Sequence, residues 1–208
     1  MPIFRLNGKI VYFAHIPKCA GTTVEASLKN FGCKISFHDS DQFEKNPNAW
    51  HKSAPQHILE SQLSILFDTS FFDYRFAVVR HPVSRFLSAY NYNRYRIGRT
   101  VSITRFLDKV ERSLGGKDEY LKKKLGHHFF PSVFFLSSDI KIFYLEDGIE
   151  NIFRQISNDL NANIAPSKDE NKLKKDKIFL RGSPFVKRLK KTFFPPSPTI
   201  DSLSFDDL

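Results

Sequence analysis

The chain has 208 residues, of which 41% are hydrophobic, and this is enough to bury the core of one domain. Its formal net charge of +10 favours an anionic partner, whether a nucleotide, an acidic glycan, a nucleic acid or a membrane surface. The two cysteines, Cys19 and Cys33, are too few for a disulfide framework and lack metal-ligand spacing. No apolar run is long enough to span a membrane and no secretory leader is visible, so we expect a cytoplasmic protein.

The first strong signal along the chain is the stretch 10–23, with the sequence IVYFAHIPKCAGTT. Its first five residues are apolar, β-branched or aromatic and predict a buried strand. A tight loop follows, and then a helix from about residue 22 to residue 30. Backbone N–H groups of such a loop and helix start attract a bound anion. Lys18 adds a full positive charge, and Thr22 and Thr23 add hydroxyl donors.

The rest of the chain alternates between apolar runs and amphipathic stretches. Predicted strands follow at 33–37, 76–79 and 140–145, and predicted helices at 57–67, 83–96, 101–113, 118–125 and 147–160. Because the strong strands alternate with helices, the sequence predicts an α/β fold in which a parallel sheet is covered by helices on both faces. In such folds ligands bind at the carboxyl ends of the strands, where the loops after the first two strong strands meet.

The composition changes after residue 165. Residues 166–208 begin with a run rich in lysine and arginine, continue through a proline-rich segment and end with acidic residues. We interpret residues 1–165 as the folded domain and residues 166–208 as a basic, proline-containing tail that is partly ordered. The lysine-rich run is either a solvated stretch or a peripheral contact with an anionic glycan or membrane surface.

A second group of polar residues follows the predicted strand at 76–79, in the sequence RHPVSRFLSAY. Arg80 ends that strand, and Pro82 starts the helix that comes next. Arg85 and Ser88 are three residues apart and therefore share a helix face. Since a guanidinium matches phosphate oxygens in two-point contact, these side chains predict a second phosphate site beside the first. Two anion sites on neighbouring strand ends indicate a ligand with two separated phosphate-like groups.

Together, the segments PKCAGTT and VVRHPVSRFLSAY resemble the sulfotransferases that use 3′-phosphoadenosine-5′-phosphosulfate (PAPS) as donor. The version HIPKCAGT is most similar to the carbohydrate sulfotransferases of family 2 and their bacterial relatives, and the resemblance covers about residues 9–165. It implies a P-loop nucleotide-hydrolase-like sulfotransferase fold with three layers. The residues that it implies for the 5′-phosphosulfate are Lys18, Cys19, Ala20, Gly21, Thr22 and Thr23. For the 3′-phosphate it implies Arg80 and Ser88.

The resemblance also implies transfer of the sulfuryl group to a hydroxyl acceptor without a metal ion, a carbohydrate being the first choice. Lys18 and the loop N–H groups would stabilise the charge that grows on the oxygen bridging to the 5′-phosphate. The acceptor hydroxyl needs a general base, and a histidine suits this role near neutral pH. His57, in the segment SAPQH, is the first candidate and His51 is the second. Glu25 remains an alternative, whereas His15 fits a buried structural role.

Two other functions are compatible with parts of the pattern. A P-loop kinase or NTPase has its lysine after the second glycine, whereas Lys18 precedes Gly21; Glu146 and Asp147 would then bind magnesium. A non-enzymatic module for acidic glycans or nucleic acids would explain the charge but not the paired Lys/Thr loop and Arg/Ser helix. We therefore expect a sulfotransferase with a carbohydrate or other hydroxyl acceptor and no nucleic-acid partner.

Three further groups have a structural interpretation beside a functional one. Tyr92 and the neighbouring tyrosines either stack on a base or sugar or pack along their helix. His127 and His128 are interpreted as loop residues and not as metal ligands, because no cysteine or carboxylate lies at ligand spacing. Cys19 is interpreted as a small packing residue and not as a nucleophile, because no adjacent base supports that chemistry.

Overall fold

The computed structural model describes residues 1–38, 54–97, 101–114 and 126–167. Within these residues the regular elements are four strands and five α-helices, in the order β1 Ile3–Leu6, β2 Lys9–Ala14, α1 Gly21–Asn30, α2 Glu60–Leu66, β3 Tyr74–Val79, α3 Pro82–Ile97, α4 Ile103–Leu114, β4 Lys141–Tyr144 and α5 Ile149–Leu160. The predicted helix at 118–125 lies outside the described residues, as does the tail beyond residue 167.

The four described strands form one sheet in the order β1-β2-β3-β4. The strands β2, β3 and β4 run parallel, whereas β1 is antiparallel to β2, so the prediction of a parallel sheet is wrong at this edge. The cause is a hairpin in which Asn7 and Gly8 both have positive φ angles, as two-residue turns between antiparallel strands require. Residues 33–37, predicted as a strand, contribute a single antiparallel bridge between Ser36 and Ile3.

Buried side chains cover both faces of the sheet. On one face, Val11 and Phe13 of β2 belong to a cluster with apolar residues of α1 and α5. On the other face, Tyr12 and Ala14 belong to a second cluster with residues of α2, α3 and α4. Alternation along β2 therefore divides the core between two sets of helices, and the protein is a mixed α/β protein. None of the described helices is long and apolar enough to cross a lipid bilayer.

The helix predicted at 57–67 is shorter in the structure. A 3₁₀ turn at Pro55–His57 comes first, and the two residues after it, Ile58 and Leu59, have extended backbone angles. The α-helix therefore begins only at Glu60. This break keeps His57 outside α2 and leaves it in a turn of its own, where its ring is oriented by neighbours outside the helix.

The register of the parallel strands brings two chain segments together at one edge of the sheet. Ala14, the last residue of β2, pairs with Ala77 of β3, so the two strands leave the sheet side by side. The loop after β2 leads to Lys18, and Arg80 follows directly after β3. The next parallel strand, β4, ends beside β3. These three strands form the carboxyl edge at which the sequence predicts the ligand site.

Candidate active site

The loop between β2 and α1 contains two residues in the left-handed backbone region. Lys18 has a φ angle of 68° and Ala20 one of 62°, which cost energy for residues with a Cβ atom. Ala20 is also the N-cap of α1, and in the described part of the chain no side chain caps the first N–H groups of this helix. Thr22 and Thr23 follow in the first turn, one exposed and the other half-buried. The uncapped helix start, with its dipole, favours an anion at this position.

Gly21, the first residue of α1, packs against the ring of His15. A Cβ atom built on Gly21 would lie 1.9 Å from Nε2 of His15, far inside van der Waals contact. His15 is itself buried, with 7% of its surface exposed, so its ring has little room to move. The glycine is therefore required because a histidine ring occupies the space that any side chain would need.

Lys18 is half-buried, and its ammonium group lies over the ring of Tyr92, with Nζ 4.0 Å from the ring centroid. Burial lowers the pKa of Lys18, and the positive charge of Arg80 lowers this pKa further. Among the described residues, no carboxylate forms an ion pair with Lys18 or Arg80. Two neighbouring cations that form no ion pair with a described carboxylate are a suitable arrangement for binding an anion.

The thiol of Cys19 joins this loop to the end of β3. Burial raises the pKa of the thiol to about 11, although the charges of Arg85 and Arg80 and a hydrogen bond from the Arg80 backbone oppose the change. The thiol is therefore protonated near neutral pH, as its predicted role in packing requires. Its contact with the Arg80 backbone holds the two loops side by side.

Arg80 and Ser88, the two residues that the resemblance assigns to the 3′-phosphate, are both half-buried. Arg80 precedes α3 and Ser88 lies about two turns into it. Because Ser88 and Tyr92 are four residues apart, they share one face of α3. Tyr92 contacts Lys18, so the face that carries Ser88 is directed toward the loop after β2.

Arg85 does not contribute to the second phosphate site that its spacing predicts. It is buried, with 6% of its surface exposed, and donates hydrogen bonds to the carbonyl oxygens of Pro17, Phe130 and His128 at 2.9, 2.8 and 3.4 Å. Helix spacing places Arg85 and Ser88 on one face, but it does not reveal which groups that face meets. Arg85 connects α3, the loop after β2 and the segment around residue 130, and this structural role uses its donors.

His57 lies beside the loop, and its ring is oriented by the backbone of His15. Nδ1 of His57 is 2.9 Å from the carbonyl oxygen of His15. Because a carbonyl only accepts hydrogen bonds, Nδ1 carries the proton and Nε2 carries a lone pair. Burial lowers the pKa of His57 well below its usual value, and protonation of His15 or His128 would lower this pKa further. His57 is therefore a neutral imidazole with a basic Nε2, the form that a general base requires.

Glu25 of α1 is a buried carboxylate that pairs with two imidazoles. Its Oε1 is 2.6 Å from Nδ1 of His15, and its Oε2 is 2.9 Å from Nε2 of His38. Burial would raise the pKa of Glu25, but the two histidines hold it at about 2. The carboxylate fixes the ring of His15 against Gly21, and the backbone of His15 orients His57. With both oxygens engaged, Glu25 fits a supporting role better than the role of general base.

Asn93 and His128 complete the surroundings of His57, although the sequence did not indicate a function for either residue. The rings of His57 and His128 meet edge to face, with centroids 5.6 Å apart, and the His128 ring is 5.2 Å from that of Tyr92. The amide nitrogen of Asn93 lies 3.0 Å from Nδ1 of His128. Asn93 belongs to α3 and His128 to a turn that follows α4, so no local pattern connects them. In the sequence, the consecutive histidines His127 and His128 were the only feature that drew attention to this segment.

Other candidates from the sequence lie apart from these contacts. His51 is outside the described residues. Glu146, a magnesium ligand under the kinase interpretation, accepts a hydrogen bond from the backbone N–H of His81 at 2.8 Å. In the part of the chain that the structure describes, no group of three or more histidine, cysteine or acidic side chains is arranged to hold a metal ion. A mainly apolar cavity of about 600 Å³ opens beside Arg80, between α3, β4 and residues 128–136.

The fold and these contacts define an α/β protein with a candidate anion site at the carboxyl edge of its parallel strands, next to His57. A model of the sulfotransferase family, of the family 2 type, matches residues 4–131. This match spans more than half of the chain and includes both motifs, so the protein belongs to the sulfotransferase family. The resemblance seen in the sequence is thereby confirmed. Comparisons with curated proteins and with solved structures gave no match.

The contact between Gly21 and His15 predicts a measurable coupling between the two residues. Gly21→Ala places a methyl group inside the His15 ring, and overpacking of this kind should lower the free energy of unfolding by about 1–3 kcal/mol. In a His15→Ala background the methyl group has space, so the same substitution should cost much less. Urea denaturation of the wild-type protein, the two single variants and the double variant measures this coupling as a double-mutant cycle. Equal costs in the two backgrounds would contradict the contact.

The ion pairs of Glu25 predict how stability depends on pH. The pKa of Glu25 in the folded protein, about 2, is below the usual 4.5, so its stabilising contribution is complete above pH 4.5 and is lost as pH falls toward 2. We expect Glu25→Gln to lower the free energy of unfolding by roughly 3 kcal/mol near pH 7 and by much less near pH 3. Urea titrations at both pH values test this, with the exposed Glu150→Gln as control. A difference that stays constant with pH would show that the carboxylate is not paired.

Proposed function

We propose that this protein transfers the sulfuryl group of PAPS to a hydroxyl group, with a carbohydrate as the acceptor. The observation that carries the proposal is the pair Lys18 and Arg80. Both are cations at adjacent strand ends, and neither forms an ion pair with a carboxylate among the described residues. Membership of the sulfotransferase family supports sulfuryl transfer as the reaction class.

The residues at the two strand ends fit the two charged ends of the donor. Lys18 and the uncapped N–H groups at the start of α1 suit the 5′-phosphosulfate, since they combine a full charge with aligned donors. Arg80 and Ser88 suit the 3′-phosphate, and their distance along the chain from Lys18 is closed by the parallel pairing of β2 with β3. The fold that this proposal implies is the three-layer, P-loop-like form, which the two core clusters on opposite faces of the sheet support.

The reaction forms a bond between the acceptor oxygen and sulfur and breaks the bond between sulfur and the oxygen of the 5′-phosphate. Lys18 stabilises the negative charge that grows on this departing oxygen, together with the backbone N–H groups of the loop. Nε2 of His57 takes the proton of the acceptor hydroxyl, because its lone pair is kept available by the hydrogen bond at Nδ1. The product nucleotide, 3′-phosphoadenosine-5′-phosphate (PAP), keeps both phosphates.

A carbohydrate acceptor fits the side chains around His57. Tyr92 is 59% exposed although its ring holds the Lys18 ammonium, so it offers an aromatic surface beside the transfer position. Aromatic rings with an accessible face suit the apolar C–H groups of a sugar ring. The imidazoles of His57 and His128 provide hydrogen-bonding groups for its hydroxyls.

Binding of PAP tests the donor site directly. Lys18→Ala and Arg80→Ala should each weaken PAP at least about tenfold, because a charge-assisted phosphate contact contributes roughly 1.5–3 kcal/mol. Isothermal titration calorimetry measures these affinities. Lys29→Ala and Arg105→Ala remove exposed side chains of the same types and serve as matched controls. Affinities of Lys18→Ala and Arg80→Ala within about twofold of wild type would exclude this site for the donor.

The proposed base predicts a separation between donor binding and transfer. His57→Leu should reduce the transfer rate by about 10²–10⁴-fold, the usual contribution of a positioned base, while PAP affinity changes less than about twofold. Release of radiolabelled sulfate from PAPS to water, and its transfer to desulfated glycan, lipid and peptide acceptors, provide the readout. Unchanged rates in His57→Leu would show that the base is another residue, and absence of any transfer by the wild-type protein would contradict the proposed activity.

A further inference from the structure

His128 and Asn93 lie outside both motifs, yet they belong to the same group of contacts as His57. Asn93 is almost completely buried, with 1% of its surface exposed. Its amide nitrogen donates to the carbonyl oxygen of Ala89 at 2.8 Å and lies 3.0 Å from Nδ1 of His128. Among the described residues, its buried Oδ1 has no hydrogen-bond partner. An unsatisfied buried oxygen is unfavourable, so the orientation of this amide needs an explanation.

The partner at Ala89 fixes the orientation of the amide. A carbonyl oxygen only accepts hydrogen bonds, so the Asn93 atom next to it is the NH₂ group and not the oxygen. The same NH₂ group therefore donates to Nδ1 of His128. This nitrogen must carry a lone pair, and the proton of a neutral His128 then lies on Nε2. A buried amide thus selects one tautomer of His128.

His57 has the opposite tautomer. Its Nδ1 donates to the carbonyl oxygen of His15, so its lone pair is on Nε2. The two rings meet edge to face with centroids 5.6 Å apart. Side by side, one imidazole therefore offers a hydrogen-bond acceptor and the other offers a donor. Nothing in the hydrogen bonding of an isolated pair of histidines would enforce this difference.

The contacts also place His128 next to the proposed donor site. Its ring is 5.2 Å from the ring of Tyr92, and Tyr92 holds the ammonium group of Lys18 at 4.0 Å. His57 in turn contacts His15, with ring centroids 4.5 Å apart, and His15 packs on Gly21 at the start of α1. A continuous series of side-chain contacts therefore leads from the lysine of the loop through His128 and His57 back to the glycine of the same loop.

We infer that His128 is a second catalytic imidazole, which donates Nε2–H to an oxygen of the acceptor while His57 accepts the proton of the attacking hydroxyl, and that Asn93 positions it. This inference rests on the proposed function and adds to it. Because His57 takes the proton of the attacking hydroxyl and His128 donates to another oxygen of the acceptor, the pair fits an alcohol with a second oxygen close by, as in the vicinal hydroxyls of a sugar. Asn93 acts only through the tautomer of His128.

The tautomers are observable without any substrate. Long-range nitrogen-15 correlation spectra of the labelled protein should show the proton of His57 on Nδ1 and that of His128 on Nε2. Asn93→Leu removes the amide that fixes His128 and should leave this ring as a mixture of tautomers, whereas Asn91→Leu, at a half-buried position of the same helix, should not. A proton on Nδ1 of His128 in the wild-type protein would overturn the inference.

The kinetic test uses release of radiolabelled sulfate from PAPS, with water and with desulfated chondroitin as the two acceptor probes. His128→Leu should lower the rate at least about tenfold, the effect of losing a donor to a reacting group, and PAP affinity should stay within about twofold. His128→Gln retains an N–H donor near the position of Nε2 and should recover most of the rate. Asn93→Leu should lie between wild type and His128→Leu.

The possible outcomes separate this inference from the proposed function. If wild type releases sulfate and His128→Leu does so equally fast, His128 is not catalytic although the protein is a sulfotransferase. If His128→Leu and His128→Gln are equally impaired, the ring has a packing role and the inference is also wrong. If wild type binds PAP but releases no sulfate to either probe or to other acceptors, the proposed function fails and the inference fails with it, whatever tautomers the spectra show.

Discussion

Repulsion between Lys18 and Arg80 is the constraint on which the rest of the site depends. The parallel pairing of Ala14 with Ala77 brings the ends of β2 and β3 together, so the two cations that follow these strands become neighbours. Neither has a carboxylate partner among the described residues, and burial together with Arg80 lowers the pKa of Lys18. The Lys18 ammonium lies over the ring of Tyr92, which is a cation–π contact. The proposed nucleotide donor, with a negatively charged group at each end, would relieve this repulsion.

Buried polar groups hold these cations in place, because the loop cannot do so with regular backbone hydrogen bonds. Two of its residues have left-handed backbone angles, and the carbonyl of Pro17 receives its hydrogen bond from Arg85. On the other side Glu25 fixes His15, whose ring limits the position of Gly21. Arg85 and Glu25 are both buried charges, and each is paired with polar groups: Arg85 with backbone carbonyl oxygens and Glu25 with histidine side chains. Hydrogen bonds from buried polar side chains therefore support the loop on both sides.

The sequence was informative where a pattern is local and not informative where contacts are distant. The strand, loop and helix around Lys18 and those around Arg80 follow from apolar runs, Pro and Gly, and the structure contains both units. The hairpin at Asn7–Gly8 also had a local signal, but its first strand has only four residues, and no element is predicted before residue 10. Arg85 was misassigned because helix spacing gives a face and not a partner. His128 and Asn93 meet only in the folded chain.

A weak base is sufficient for the sulfuryl transfer that we propose for this protein. Burial keeps His57 neutral near pH 7, so its lone pair is available, but the same lowering of its pKa makes it a poor acceptor for the proton of an unreacted alcohol. As the acceptor oxygen bonds to sulfur, its proton becomes strongly acidic, and a weak base then suffices to remove it. In the proposed reaction the difficult step is therefore the departure of the 5′-phosphate oxygen, which Lys18 and the helix start would assist. The base must therefore be neutral and correctly oriented, but it need not be strong. The hydrogen bond from Nδ1 of His57 to the His15 carbonyl oxygen provides the orientation.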